Sequence, residues 1–231
     1  MILTSHPSHR EPAAARQPMM RRLLKTALFA VMCVGCAWPL SSASAADRVI
    51  ALWDASAPGA DSGMLPGGAN SEAGDLKMPA TSSATIEKDA AAPGGQALVF
   101  PTAKGNAQCT TKVSVTGDFT IELIVKISPA NDKIESPILI VHSPFIRLRY
   151  QNGSLRFIVM ADGGGFVERP IAPDKWSKVT ATMKGGMITL DVDGDVIDKN
   201  MRADAKLNDE EYLIRVGLFV GALSKLSITA H

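Results

Sequence analysis

"KWSKVTATMKGGMITLDVDGDVIDK", residues 175–199, packs Asp191, Asp193, Asp195 and Asp198 into eight positions and poses a choice between a cation site and a hairpin. An EF-hand loop requires glycine at its sixth position and a bidentate glutamate at its twelfth. Counted from Asp191 these positions hold Val196 and Arg202, so that loop is excluded. Asp191 and Asp193 share one face of a strand, and an Asp-Gly pair is what a tight two-residue turn requires. The stretch therefore reads as three short strands, "WSKVTATM", "MITLDVD" and "DVIDK", punctuated by Gly185-Gly186 and Gly194.

The same period of two extends in both directions. "FTIELIVKI" places Phe119, Ile121, Leu123, Val125 and Ile127 on one face, with Thr120, Glu122, Ile124 and Lys126 on the other. "PILIVH" follows, and then "FIRLRYQNGSLRFIVM", where Asn152-Gly153 between two alternating runs is a strong hairpin signal. Its register pairs Tyr150 with Leu155 and Leu148 with Phe157 inward, and sets Arg149 opposite Arg156 on the outer side. "VIALW" near the start and the pair "LIRVGLFV" and "ALSKLSITA" at the end supply further strands. Residues 54–95, rich in Ala, Gly, Ser, Pro and Asp, read as loop that is partly ordered, disordered or functional, and their low complexity favours a surface-draped or mobile segment. The one helical patch is "ADAKLNDEEY", 203–212. Many short strands with turn signals every 8 to 12 residues predict an all-β, antiparallel two-sheet sandwich in a single domain, 46–231.

Ahead of that domain, "MMRRLLKTALFAVMCVGCAWPLSSASA" has a basic start, an apolar run from Ala27 to Trp38 and a small-residue ending, the signature of a secretory signal peptide cleaved after Ala45. The polar residues 1–18 fit no exported leader, which leaves Met19 or Met20 as alternative starts. The alternative of a lipid anchor at Cys36 is disfavoured because Cys33 stands where an aliphatic residue is wanted. Loss of 1–45 takes away Arg10, Arg16, Arg21, Arg22, Lys25 and Glu11. Of 24 basic and 23 acidic side chains, 19 and 22 remain, a net charge of about −3. Such a chain has no overall attraction to nucleic acid, and nothing in 46–231 is a membrane span. Cys109 is then the sole thiol, either buried and inert or a bridge between copies.

"GDFTIELIVKI", "NGSLRFIV", "DKWSKVTATMKGGMITLDVDGDVI" and "VGLFVGALSKLSI" occur in the order and rough spacing of a known superfamily. The chain resembles the laminin-G-like, concanavalin A-like lectin/glucanase jelly rolls, in which a "G-x-F-T-I-E" strand, a "W-x-x-V" strand and an "L-Y-V-D-G" hairpin recur. The resemblance covers nearly all of 46–231 and implies a jelly-roll sandwich. Many such domains bind calcium on a rim, with acids after an "F-x-G" element, where this chain has Ala222-Leu223-Ser224-Lys225. Lys225 would oppose a cation there. No cofactor is expected, and calcium is the one that the resemblance leaves open. Glucanases of the superfamily cleave with carboxylates spaced E-x-D-x-x-E on one strand. That pattern is absent, so no catalytic residue is assigned.

Other chemistry finds little material. His142 and His231 are the only histidines after residue 45, there is no G-x-S-x-G, and zinc ligands lack their spacing. "ADGGGFVE", 161–168, has no helix after it to cradle phosphate and reads as a hairpin loop. The arginine face is different. Arg147, Arg149 and Arg156 emerge on one side of the hairpin, and like charges directly opposite cost stability unless an acid or anion lies between them. Either Glu122 on a neighbouring strand supplies that acid, or the patch meets an anionic glycan or an acidic protein surface. Trp53 and Trp176 are expected in the core, leaving Tyr150, Tyr212 and Phe166 as aromatics for a sugar. The expectation is an exported, periplasmic or secreted, non-catalytic recognition or adhesion module for a glycan or an envelope or extracellular protein. A diverged polysaccharide-active enzyme and a structural envelope component are the alternatives.

Overall fold

The run Phe119–Ile127 forms a strand as its alternation predicts, with Phe119, Ile121, Leu123, Val125 and Ile127 all at most 1% exposed. The computed structural model describes residues 47–61, 63–131, 136–142, 146–160, 164–201, 207 and 209–231. The expected signal peptide, Cys36, residues 161–163 and most of the predicted helical patch lie outside these; Asp209–Tyr212 within that patch are not helical.

The strands in chain order are β1 (Arg48–Asp54), β2 (Met64–Leu65), β3 (Leu76–Lys77), β4 (Thr85–Lys88), β5 (Gln96–Phe100), β6 (Asn106–Cys109), β7 (Phe119–Ile127) and β8 (Ser136–His142). There follow β9 (Ile146–Gln151), β10 (Ser154–Val159), β11 (Gly165–Pro170), β12 (Trp176–Lys184), β13 (Met187–Val192), β14 (Asp195–Asn200), β15 (Arg215–Gly217) and β16 (Gly221–Ala230). One antiparallel sheet, sheet A, runs β14-β13-β12-β7-β16-β5-β4 with β1 also on β16; sheet B runs β11-β10-β9-β8-β15-β6-β3-β2. The predicted all-β, two-sheet sandwich is thus the observed fold.

The sheets meet through every second residue. Phe119 of sheet A meets Phe157 of sheet B edge-on, ring centroids 6.3 Å apart at 84°, a favoured aromatic geometry. Trp53 is fully buried, and its indole Nε1 donates to the Gly74 carbonyl at 2.8 Å. On the side away from β13, β11 and β14, the end strands of the two sheets, are linked by Arg169, whose Nη2 donates to the Val196 carbonyl at 2.5 Å and pairs with Asp195 at 3.3 Å.

Four features depart from the sequence reading. First, the segment 54–95 is built into the sandwich: it carries β2, β3 and β4, and Leu65, Ala73, Leu76 and Ala84 are buried. Its backbone also covers the free side of β1, with Gly68 N donating to Leu52 O at 2.8 Å and Ala73 N to Ile50 O at 2.9 Å. Second, the final two strands belong to different sheets. The chain crosses between them at Leu218–Val220, and the flanking glycines are sterically required. A Cβ on Gly217 (φ +115°) would lie 2.5 Å from Gly105 O, and one on Gly221 (φ +156°) 2.3 Å from Lys126 O. Third, Gly165–Pro170, read as part of a loop, is a strand.

Fourth, Trp176 is not in the main core. It opens β12 on the outer face of sheet A, packed with Val99 against a small separate cluster of Ala92, Ala97 and Ala222. Lys126 Nζ lies 5.1 Å from its ring centroid and pairs with Asp89 at 2.5 Å. This ion pair pins the turn after β4 over the indole. The Lys126 hydrogen bond, with that from the Ala91 amide, holds the Asp89 carboxyl below its ordinary value against the opposing effect of burial.

A carboxylate with a depressed folded-state pKa adds stability that is complete above its unfolded pKa and is lost as pH falls through the folded value. Asp89→Asn is therefore expected to cost about 1 kcal/mol at neutral pH, with the gap to the parent closing below about pH 4. Urea unfolding across that range measures it, and a gap independent of pH would contradict the assignment. Gly221→Ala is expected to lower the melting temperature far more than Gly153→Ala, since both positions need positive φ but only the former also meets backbone at 2.3 Å.

Candidate functional site

The β9–β10 hairpin turns at Asn152 and Gly153, whose φ values of 51° and 78° are the left-handed conformations a two-residue turn demands. Its register is the predicted one: Tyr150 opposite Leu155, Arg149 opposite Arg156, and Leu148 opposite Phe157. Tyr150, Leu148, Leu155 and Phe157 are buried. Arg147, Arg149 and Arg156 are consequently turned to the outer face of sheet B, and β11 adds the next strand, placing Glu168 opposite Arg156 and Phe166 opposite Ile158.

These side chains surround a shallow depression of about 350 Å³ lined by Arg147, Arg149, Arg156, Ile158, Met160 and Phe166. Glu168 Oε2 accepts from Arg156 Nε at 2.7 Å and from its terminal nitrogen at 2.5 Å. The Arg156 guanidinium lies 4.4 Å from the Phe166 ring centroid, and Lys199 Nζ approaches the same ring at 5.5 Å. Phe166 is 46% exposed and Met160 50%. Burial and the neighbouring Arg156 push Arg149 below its ordinary pKa, with Glu168 acting in the opposite sense. Among the described residues the site is thus cationic, partly desolvated and edged by apolar surface. Such a setting strengthens charge-assisted hydrogen bonds to carboxylate or sulfate groups.

Among the described residues the acid that pairs with Arg156 is Glu168, not Glu122. Glu122 sits on β7 in the other sheet, where its Oε1 lies 3.7 Å from Lys178 Nζ. Counting "GFVERP" back against "SLRFIV" as a second hairpin would have identified Glu168, but the glycines ahead of it masked the strand.

Asp191 and Asp193 serve the backbone. Asp193 and Gly194 take φ values of 54° and 91°. Asp193 Oδ1 accepts from Lys178 N at 2.9 Å, its Oδ2 pairs with Lys175 at 3.2 Å, and Asp191 accepts from Gly194 N at 2.7 Å. Burial raises the Asp193 carboxyl, but the Lys178 amide, the Ser177 hydroxyl and Lys175 together bring it below its ordinary value. No group of three or more His, Cys, Asp or Glu side chains is placed to hold a metal ion among the described residues.

Of the aromatic candidates, Tyr150 is buried in the core, Tyr212 donates its hydroxyl to Glu210, and only Phe166 reaches the depression. His142 ends β8. His231 is held by Asp47 at 2.9 Å and Thr120 at 2.8 Å. Cys109 is buried, and burial pushes its thiol pKa up. No helix among the described residues is long and apolar enough to cross a membrane.

No family model and no curated protein matches the chain. Domain 4 of AbnA, a GH43 extracellular arabinanase from Geobacillus stearothermophilus, solved in complex with arabinotriose, is similar with a TM-score of 0.61 and 9% identity, over 80% of this chain and 93% of that one. The botulinum neurotoxin serotype D binding domain is similar with a TM-score of 0.59 and 12% identity, over 79% of this chain and 47% of that one. The serotype D ligand binding domain in complex with N-acetylneuraminic acid gives 0.57 and 13%, over 79% and 47%. The chain thus spans about half the length of the toxin binding domains it matches. What it shares with all three is the fold, an antiparallel β-sandwich of the jelly-roll kind found in these binding domains.

Proposed function

We propose that this protein is an exported, non-catalytic recognition module of the laminin-G-like, concanavalin A-like group, and that it holds an anionic glycan at Arg147, Arg149 and Arg156. The observation that carries this reading is the cross-strand Arg149–Arg156 pair at a depression whose lining adds Arg147 and exposed Phe166. Among the described outward-facing residues of β9, β10 and β11, Glu168 is the one carboxylate, so positive charge exceeds negative there. A ligand carboxylate or sulfate would meet a guanidinium whose pKa burial and the neighbouring Arg156 lower, while Phe166 and Met160 offer an apolar margin to the sugar ring. Structural neighbours solved with N-acetylneuraminic acid and with arabinotriose support a sugar as the ligand class.

Arg149→Ala is expected to weaken binding to polygalacturonate or to a sialylated oligosaccharide at least tenfold in calorimetry, with the melting temperature preserved. Glu168→Gln, which frees Arg156 from its acid, is expected to tighten anion binding severalfold and to steepen its salt dependence. Unchanged affinity in Arg149→Ala would remove this patch from consideration, and co-purification of one protein in place of glycan binding would redirect the ligand class. The module is proposed to work without calcium: added calcium should leave the melting temperature unaltered, whereas a rise of several degrees would reveal a site.

A further inference from the structure

Two hairpins of the molecule share one kind of tight turn. Asn152-Gly153 joins β9 to β10 with φ values of 51° and 78°, and Asp193-Gly194 joins β13 to β14 with 54° and 91°. They differ in what restrains them. Asp193 accepts from Lys178 N at 2.9 Å and pairs with Lys175 at 3.2 Å, and the Gly194 amide donates to Asp191 at 2.7 Å. Asn152 is exposed, and among the described residues neither its side chain nor the Gly153 amide has a hydrogen-bond partner. A Cβ at Gly153 would meet nothing within 4 Å, so nothing crowds the turn.

An unheld side-chain amide followed by an unheld main-chain amide supplies both reactants of cyclic imide formation. The Gly153 nitrogen attacks the Asn152 side-chain carbonyl carbon and a new C–N bond closes a succinimide ring. The bond to the side-chain nitrogen breaks, and ammonia leaves with the proton from the Gly153 nitrogen. Water then opens the ring at either carbonyl. The product is an aspartyl residue, or an isoaspartyl residue whose main chain runs through the side-chain carbons. Glycine favours the attack because it has no Cβ beside the nucleophile and turns freely.

The other described asparagines are guarded. The amides after Asn70 and Asn200 donate to Gly68 O at 3.0 Å and to Gly186 O at 2.7 Å. Asn106 precedes Ala107, which lies within the β6–β15 ladder. Asn131 is buried, its side-chain nitrogen donating to Ser128 O and Val220 O and its oxygen accepting from Val220 N.

We propose that Asn152-Gly153 is a self-modifying site that converts spontaneously to aspartyl and isoaspartyl forms, and that the conversion weakens the arginine face. The second step rests on the anion-site reading above. At about 3.3 Å per residue the new carboxylate stands about 10 Å along the hairpin from the Arg149–Arg156 pair, which is about one Debye length, so it repels an anionic ligand. The isoaspartyl form does more. Its extra main-chain carbon disrupts the two-residue turn that sets Arg149 opposite Arg156. Gly153 O also accepts from Ile171 N at 3.1 Å, which ties this turn to the end of β11, the strand that sets Glu168 opposite Arg156.

Incubation of the protein in mildly alkaline buffer, followed by peptide mapping in the mass spectrometer and ion-exchange separation, tests the proposal. Asn152 is expected to convert at least tenfold faster than Asn70, Asn106, Asn131 or Asn200. Conversion should slow at least tenfold in Gly153→Ala, and in Asn152→Gln, which keeps the glycine, the acidic form should not accumulate. The separated acidic forms and Asn152→Asp are expected to bind polygalacturonate severalfold more weakly at low salt, the isoaspartyl form most weakly. Conversion of Asn152 no faster than that of the guarded asparagines would overturn the site. Equal affinity of the unconverted and isoaspartyl forms, with Arg149→Ala impaired, would overturn its effect. Conversion with affinity unchanged even in Arg149→Ala would support the modification and sink the anion-site reading instead.

Discussion

Sheet A depends on one strand being shared three ways. β16 pairs with β7 from Gly221 to Ala230, while its other side is taken by β5 over Gly221–Leu223 and by β1 over Lys225–Ala230. The register shift between Leu223 and Lys225 makes room for this change of partner. A bulge leaves one residue outside the ladder and kinks the strand. Here Ser224 is 2% exposed, its carbonyl accepts from Ala55 N at 2.9 Å and its hydroxyl donates to Pro93 O at 2.6 Å. The first strand, the turn after β4 and the last strand are joined at this residue, so the outer face of the sheet is fixed by contacts between segments more than a hundred residues apart.

The sandwich itself was legible because its long strands state their faces in sequence. Phe119 to Ile127 alternate without exception, and Asn152-Gly153 and Asp193-Gly194 fix the registers on either side of them. A hairpin register is a local quantity, set by the turn, so Arg149 and Arg156 could be placed opposite each other before any long-range contact was known. The three guanidiniums on one face follow from that arithmetic.

Where partners come from distant chain, the sequence spoke less clearly. Glu122 is the acid in view because its strand is plain in the sequence, whereas the pairing of β11 with β10 that sets Glu168 opposite Arg156 is hidden by the glycines before β11; the sheet order then puts β7 in the other layer. The segment 54–95 resembles loop because its strands are two to four residues long and its buried anchors, Leu65 and Leu76, stand alone among small residues. Trp176 begins a strand whose later residues alternate correctly, yet its own parity points it outward, where Lys126 and a cluster of alanines receive it.

Arg169 has a consequence for how copies of the molecule behave together. β14 ends sheet A, and an end strand normally presents unpaired carbonyls and amides on which another chain can template itself. By donating to the Val196 carbonyl and pairing with Asp195, this arginine reaches across from the end of sheet B and occupies an acceptor on that border. One acceptor on that border is thereby already taken, which leaves less of the strand open to pairing edge to edge with a second chain.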